Sequence, residues 1–127
     1  MNGIDFLLDT NAVIYLLTGN LCMKPFLDYK FGVSIISNIE LLSFPNISEK
    51  EEKIIKSFLN DCKIINISQH IVEKTIELRK EYKIKLPDSI IASTSIAECI
   101  PLITADKGFS KIKELKLELI NPFGLDE

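Results

Sequence analysis

At 127 residues, 46% hydrophobic and 26% charged, the chain has the size and composition of one soluble globular domain whose core needs no staple. Its formal net charge of −3 excludes a simple high-affinity DNA binder, which would carry a strong basic excess. No uncharged apolar run approaches the ~18 residues of a membrane span. The apolar N-terminus carries Asp5 and Asp9 without a basic start, so no signal peptide is expected and the cytoplasm is the expected location.

Short apolar runs alternate with helical patterns, which predicts an α/β fold with a parallel sheet. Residues 4–8 read as a strand buried on both faces, 11–18 as a helix stopped by Gly19, and 21–30 as a second short helix. Residues 32–36 make the second strand. Ser37 opens the next helix, with Glu40 completing an S-x-x-E capping box. Ser48 and Glu51 repeat that pattern, and Ile54, Ile55, Phe58 and Leu59 follow at helical spacing. Residues 63–67 form the third strand. Ser68 caps a helix that turns Ile71, Val72, Thr75, Leu78 and Tyr82 inward. Residues 86–98 form a further helix with Pro87 in its first turn, and residues 101–104 and 117–120 form the last two strands.

The odd set of Cys22, Cys62 and Cys99 lacks metal-ligand spacing and reads as buried, reduced thiols. His70 is the single histidine, so chemistry built on a histidine triad or a His-rich zinc site is not expected.

Four acids stand where apolar runs hand over to helices or turns: Asp9 in FLLDTNAVIYLL, Glu40 in SIISNIELLSF, Asp88 in KLPDSIIASTSI and Asp106 in LITADKGF. Each has a structural explanation by itself. Asp9 suits a helix N-cap, Glu40 a capping box, Asp88 the positive first turn of a helix, and Asp106 a turn before Gly108. Their conjunction says more. Open parallel sheets bind ligands beyond the carboxyl ends of their strands. If the first, second and fourth strands are neighbours, all four carboxylates meet in one cleft, with Thr10, Asn11, Ser37 and Thr104 beside them as water-holding groups. Such a cluster repels itself without a cation. Hard carboxylate oxygens predict Mg²⁺ or Mn²⁺, and a bare carboxylate metal site predicts phosphodiester hydrolysis without a protein nucleophile. Lys83 and Lys85 precede Asp88, and Lys107 and Lys111 follow Asp106. They read as solvated surface or, functionally, as phosphate contacts for RNA.

Rival folds fit less well. A receiver-type phosphoacceptor needs an acidic pair at the first strand, where Asp9 stands alone. A haloacid-type phosphatase needs Asp-x-Asp, where this chain has Asp9-Thr10-Asn11.

The ordered set LLDTNAVI, S-x-x-E at Ser37 to Glu40, LPDSIIAS and LITADKGF resembles the PIN-domain ribonucleases, over residues 5–123. Length and spacing are similar to the VapC-like toxin branch. The resemblance implies one PIN-like domain over residues 1–127, an α/β/α sandwich around a five-stranded parallel sheet of order 3-2-1-4-5. It implies that Asp9, Glu40, Asp88 and Asp106 are metal-binding positions lined by Asn11 and Thr104. It further implies an RNA substrate, a small antitoxin partner and a homodimer, with Phe26, Tyr29, Phe44 and Phe58 as apolar interface candidates. Many relatives carry another acid two places after the fourth, where this chain has Gly108. The alternative reading is a PIN fold that binds RNA or protein without cutting.

Overall fold

The computed structural model describes residues 3–124. Five strands, β1 (Phe6–Leu8), β2 (Phe31–Ser34), β3 (Lys63–Ile65), β4 (Leu102–Thr104) and β5 (Leu117–Leu119), form one parallel sheet in the order β3-β2-β1-β4-β5. The helices are α1 (Thr10–Leu17), α2 (Ile35–Leu42), α3 (Glu49–Asp61), α4 (Gln69–Glu81) and α5 (Leu86–Glu98), with 3₁₀ turns at Leu21–Phe26 and Lys107–Lys111. The fold class is the one the sequence pattern predicts, and the sheet order is the one the family resemblance implies.

Side chains alternate across the sheet, as a two-residue period requires. Leu7 and Leu102 face one core, with Ile71, Leu78, Ile91 and Phe109. Leu8, Val33 and Ile103 face the other, with Val13, Met23, Leu41 and Leu59. Both central strands are therefore apolar on both faces, which is why they read as continuous runs. From β1 the chain passes outward to β2 and β3, then crosses through α4 and α5 to β4 on the other side of β1. The carboxyl ends of β1 and β4 thus flank the switch point of the sheet, where such folds open a crevice.

Several expectations need correction. The strands end earlier than predicted, β2 at Ser34 and β3 at Ile65. Ser34, not Ser37, caps α2 through the Ile36 N–H, because β2 pairs with β1 only as far as Val33 and with β3 only as far as Ser34. Ser37 and Glu40 are consequently not a capping box. Ser48 and Glu51 are one, reciprocally bonded at 3.0 and 2.9 Å. Residues 21–30 hold a 3₁₀ turn with Pro25 inside it rather than an α-helix. On α4 the buried stripe is Ile71, Thr75 and Leu78, one turn apart, while Val72 lies off it and is 37% exposed.

The thiols are free but not all buried. Cys22 and Cys62 are half-buried, the latter's pKa pushed up to about 12 by desolvation, then by the Asp61 charge. Cys99 is exposed, in the left-handed conformation (φ 57°) that closes α5. No helix among the described residues is long and apolar enough to cross a membrane.

Candidate active site

The end of β1 makes the first contribution. Asp9 leaves the strand with its N–H on the Ile103 carbonyl of β4 (3.3 Å) and becomes the N-cap of α1. Oδ1 accepts the Ala12 N–H at 2.9 Å and Oδ2 accepts the Thr104 hydroxyl at 2.5 Å. Thr104 Oγ1 accepts the Asp106 N–H at 3.0 Å in turn. One buried hydroxyl therefore couples the two strand-end acids. Asp9 is only 7% exposed. Burial raises its pKa most; the bonds from Thr104 and Ala12 pull it back, and the charges of Asp88 and Asp106 push it up again.

Glu40 arrives from the second turn of α2. Its Oε1 lies 2.5 Å from Thr10 Oγ1, which also lies 2.9 Å from Ser37 Oγ. The threonine hydroxyl has one proton. The carboxylate is the stronger acceptor, so Thr10 donates there and its oxygen is left to accept from Ser37. Ser37 is fully buried behind this pair.

Asp88 enters from the first turn of α5, half-buried. Desolvation raises its pKa most, the charges of Asp106 and Glu40 add to this, and Lys85 opposes it. Asp106 is exposed at the N-cap of the second 3₁₀ turn, its Oδ1 on the Gly108 N–H at 2.8 Å.

The sequence-predicted acids thus come together. Asp9, Thr10, Asn11, Glu40, Asp88 and Asp106 line one cleft of about 230 Å³, walled by Phe44, Ile91 and Phe109. Thr104 and Ser37 stand behind it as buried supports. The apolar wall was not foreseen as part of the site; Phe109 had only its place three residues after Asp106 as a signal. Lys83, Lys85 and Lys111 line an adjoining depression of about 230 Å³ with Asp88, Asp106 and Gly108, while Lys107 lines neither. Among the described residues no three acidic, histidine or cysteine side chains are already placed to share one ion. The donor set is nonetheless that of a hard cation, and its carboxylates act on one another through space, a repulsion that a divalent ion relieves.

The PIN domain family model matches residues 6–115. The chain belongs to the PIN domain family. A toxin–antitoxin complex from Klebsiella pneumoniae is similar over 95% of this chain and 100% of that one, with 31% identity and a TM-score of 0.77. VapBC2 from Rickettsia felis, bound to a DNA fragment from its promoter, shares 26% identity over 93% of this chain and 100% of that one, with a TM-score of 0.79. DNA-bound VapBC from Salmonella typhimurium, 18% identical over 91% of this chain and 97% of that one, has a TM-score of 0.81 and shows the common fold alone. No curated protein sequence matches the chain. The PIN chain's likeness is to the VapC-like toxins, and that membership supports a nuclease.

Proposed function

We propose that this PIN domain is a metal-dependent endoribonuclease, the toxin of a toxin–antitoxin pair, that hydrolyses RNA phosphodiester bonds. The observation that carries the reading is the gathering of Asp9, Glu40, Asp88 and Asp106 in one cleft at the switch point of the sheet. As a binding surface for a phosphate backbone the cleft is wrong in sign. As a cradle for Mg²⁺ or Mn²⁺ it is right, because such ions take carboxylate oxygens and usually keep several waters.

Asp9, Asp88, Asp106 and Glu40 are the groups that would hold the ion, directly or through water. A divalent ion there supplies positive charge for the phosphate and a more acidic water. The chain's own part is positioning. Thr104 and the Ala12 N–H fix both oxygens of Asp9, and Thr10 fixes one oxygen of Glu40. Phe44, Ile91 and Phe109 exclude bulk water from one side of the cleft.

The likeness to toxin–antitoxin complexes supports an antitoxin as partner. An apolar groove of about 450 Å³ runs between α1, α2 and α3 and adjoins the acidic cleft through Phe44. It suits a protein segment that covers the cleft. Phe44 and Tyr29 are exposed; Phe26 and Phe58 are half-buried against the core and offer less.

The test is RNA cleavage by the purified protein with Mn²⁺, with EDTA, and after Asp88→Asn. Cleavage that needs Mn²⁺ and falls at least 100-fold in the variant supports the reading. Equal cleavage by the variant, or none by the wild type at millimolar Mn²⁺, turns it toward a non-cutting PIN module.

A further inference from the structure

The depression beside the acidic cleft is unlike it in charge. Lys83, Lys85 and Lys111 line it, together with Gly108, and the two cavities share Asp88, Asp106 and Phe109. None of the three ion pairs among the described residues uses these lysines. They line the depression beside Asp88 and Asp106. Lys111 is held in place, its ammonium donating to the Lys83 carbonyl across the gap between the segment before α5 and the second 3₁₀ turn. Holding a long side chain in advance removes part of the ordering cost that a ligand would otherwise meet. Lys85 is the N-cap residue of α5 and makes no side-chain capping bond.

Gly108 completes the arrangement. It has no side chain to fill the depression, and a Cβ there would lie 3.0 Å from Asp106 Oδ1. An acid at this position would put a negative charge among the lysines. Glycine adds no further negative charge to that of Asp88 and Asp106 and leaves the approach to Asp106 open.

We propose that Lys83, Lys85 and Lys111 form an anion subsite that takes the RNA backbone phosphate next to the scissile one. This rests on the nuclease reading only in taking RNA as the ligand. A strand crossing from one cavity to the other passes its scissile phosphate over the acids and its neighbouring phosphate over the lysines. The lysines thus orient a polyanion that the acids alone would repel. They are positioning residues, reading charge and not base.

The test uses fluorescein-labelled oligouridylate of twelve nucleotides, titrated by anisotropy in EDTA between 50 and 200 mM salt so that nothing is cut. Asp9→Asn protein serves as the parent, compared with the same protein carrying Lys83→Met and Lys85→Met, which spare the Lys111 bond. Each lost phosphate contact flattens the slope of log affinity against log salt by about 0.7 for a single strand. The double substitution is expected to weaken binding about 10-fold at 50 mM salt and flatten the slope by about 0.7, the share of the one phosphate. Lys53→Met on α3, lining a separate depression, is expected to change neither. The Mn²⁺-induced rise in Tm, measured in the otherwise wild-type chain, should survive Lys83→Met/Lys85→Met undiminished, since removing cations favours a cation.

Unchanged RNA affinity and slope, no RNA binding by the parent at 50 mM salt, or a Mn²⁺ shift lost together with RNA affinity would each overturn the subsite. If the wild type cuts RNA while the lysine variant binds it normally, the nuclease reading stands alone. If no RNA is cut but the variant loses affinity and slope, the subsite stands and the nuclease reading fails.

Discussion

Thr104→Val isolates the link between the two strand-end acids. Valine nearly keeps the shape of threonine and deletes the hydroxyl. In the wild type that hydroxyl donates to Asp9 Oδ2 at 2.5 Å and accepts the Asp106 N–H at 3.0 Å, and Thr104 is fully buried. A bond to a charged group contributes about 1.5–3 kcal/mol and a neutral one about 0.5–1.5 kcal/mol. Water in the cleft replaces part of both, so the loss should be about 2–4 kcal/mol. In a domain of this size that lowers Tm by roughly 6–20 °C. Thr104→Ser keeps both bonds and loses only a methyl group, about 1 kcal/mol. The assay is urea unfolding in EDTA at pH 7, repeated at lower pH. The Thr104 bond favours ionised Asp9, so its contribution is full above the folded pKa of Asp9 and shrinks as falling pH protonates that carboxyl. A Thr104→Val protein within 0.5 kcal/mol of wild type, or a Thr104→Ser protein as weak as the valine variant, would refute the reasoning.

Other expectations follow from the same site and its surroundings. Asp88→Asn should leave the metal-free protein as stable as wild type or more so. The folded pKa of Asp88 is raised above its ordinary 3.8, so ionisation opposes folding. The penalty is absent below that value, grows as pH rises toward the folded pKa, and is constant above it. Parallel thermal melts from pH 3 to 8 should therefore show the variant's advantage appearing only in the upper part of the range; a variant markedly weaker at pH 7 would make Asp88 a structural group of the first helical turn. Cys99→Gly should stabilise the protein by about 0.5–1 kcal/mol in denaturant melts, because an exposed non-glycine residue holds φ 57° at the end of α5. A loss of stability there would mean that the thiol makes a contact the fold needs.

What the sequence made legible is instructive at particular residues. The four acids were readable because each follows an apolar run or begins a helix, and sheet topology places those points together. Leu86–Glu98 was readable to the residue, with Pro87 in its first turn. The strands were not, since pairing of three or four residues leaves too little pattern to mark an end. That uncertainty moved the cap of α2 from Ser34 to Ser37, two serines alike in propensity, and made a capping box of Ser37 and Glu40. Their real arrangement, through Thr10 at a separation of 30 residues from Glu40, is tertiary and leaves no local trace. Thr104 could be placed beside the acids from its position, but its two-sided hydrogen bonding needed the β1–β4 register. Likewise Val72 and Thr75 are separated by burial only once α4 has packed against α5.

The most direct test of the account is the melting temperature of the wild type and of Asp9→Asn across a Mn²⁺ titration. A ligand that binds only the folded state adds about 2.7 kcal/mol at 100 times its dissociation constant. The account predicts a saturable rise in Tm for the wild type that Asp9→Asn abolishes, with the metal-free variant still folded. No rise in either protein at millimolar Mn²⁺, or an equal rise in both, would contradict the claim that these carboxylates are a metal site.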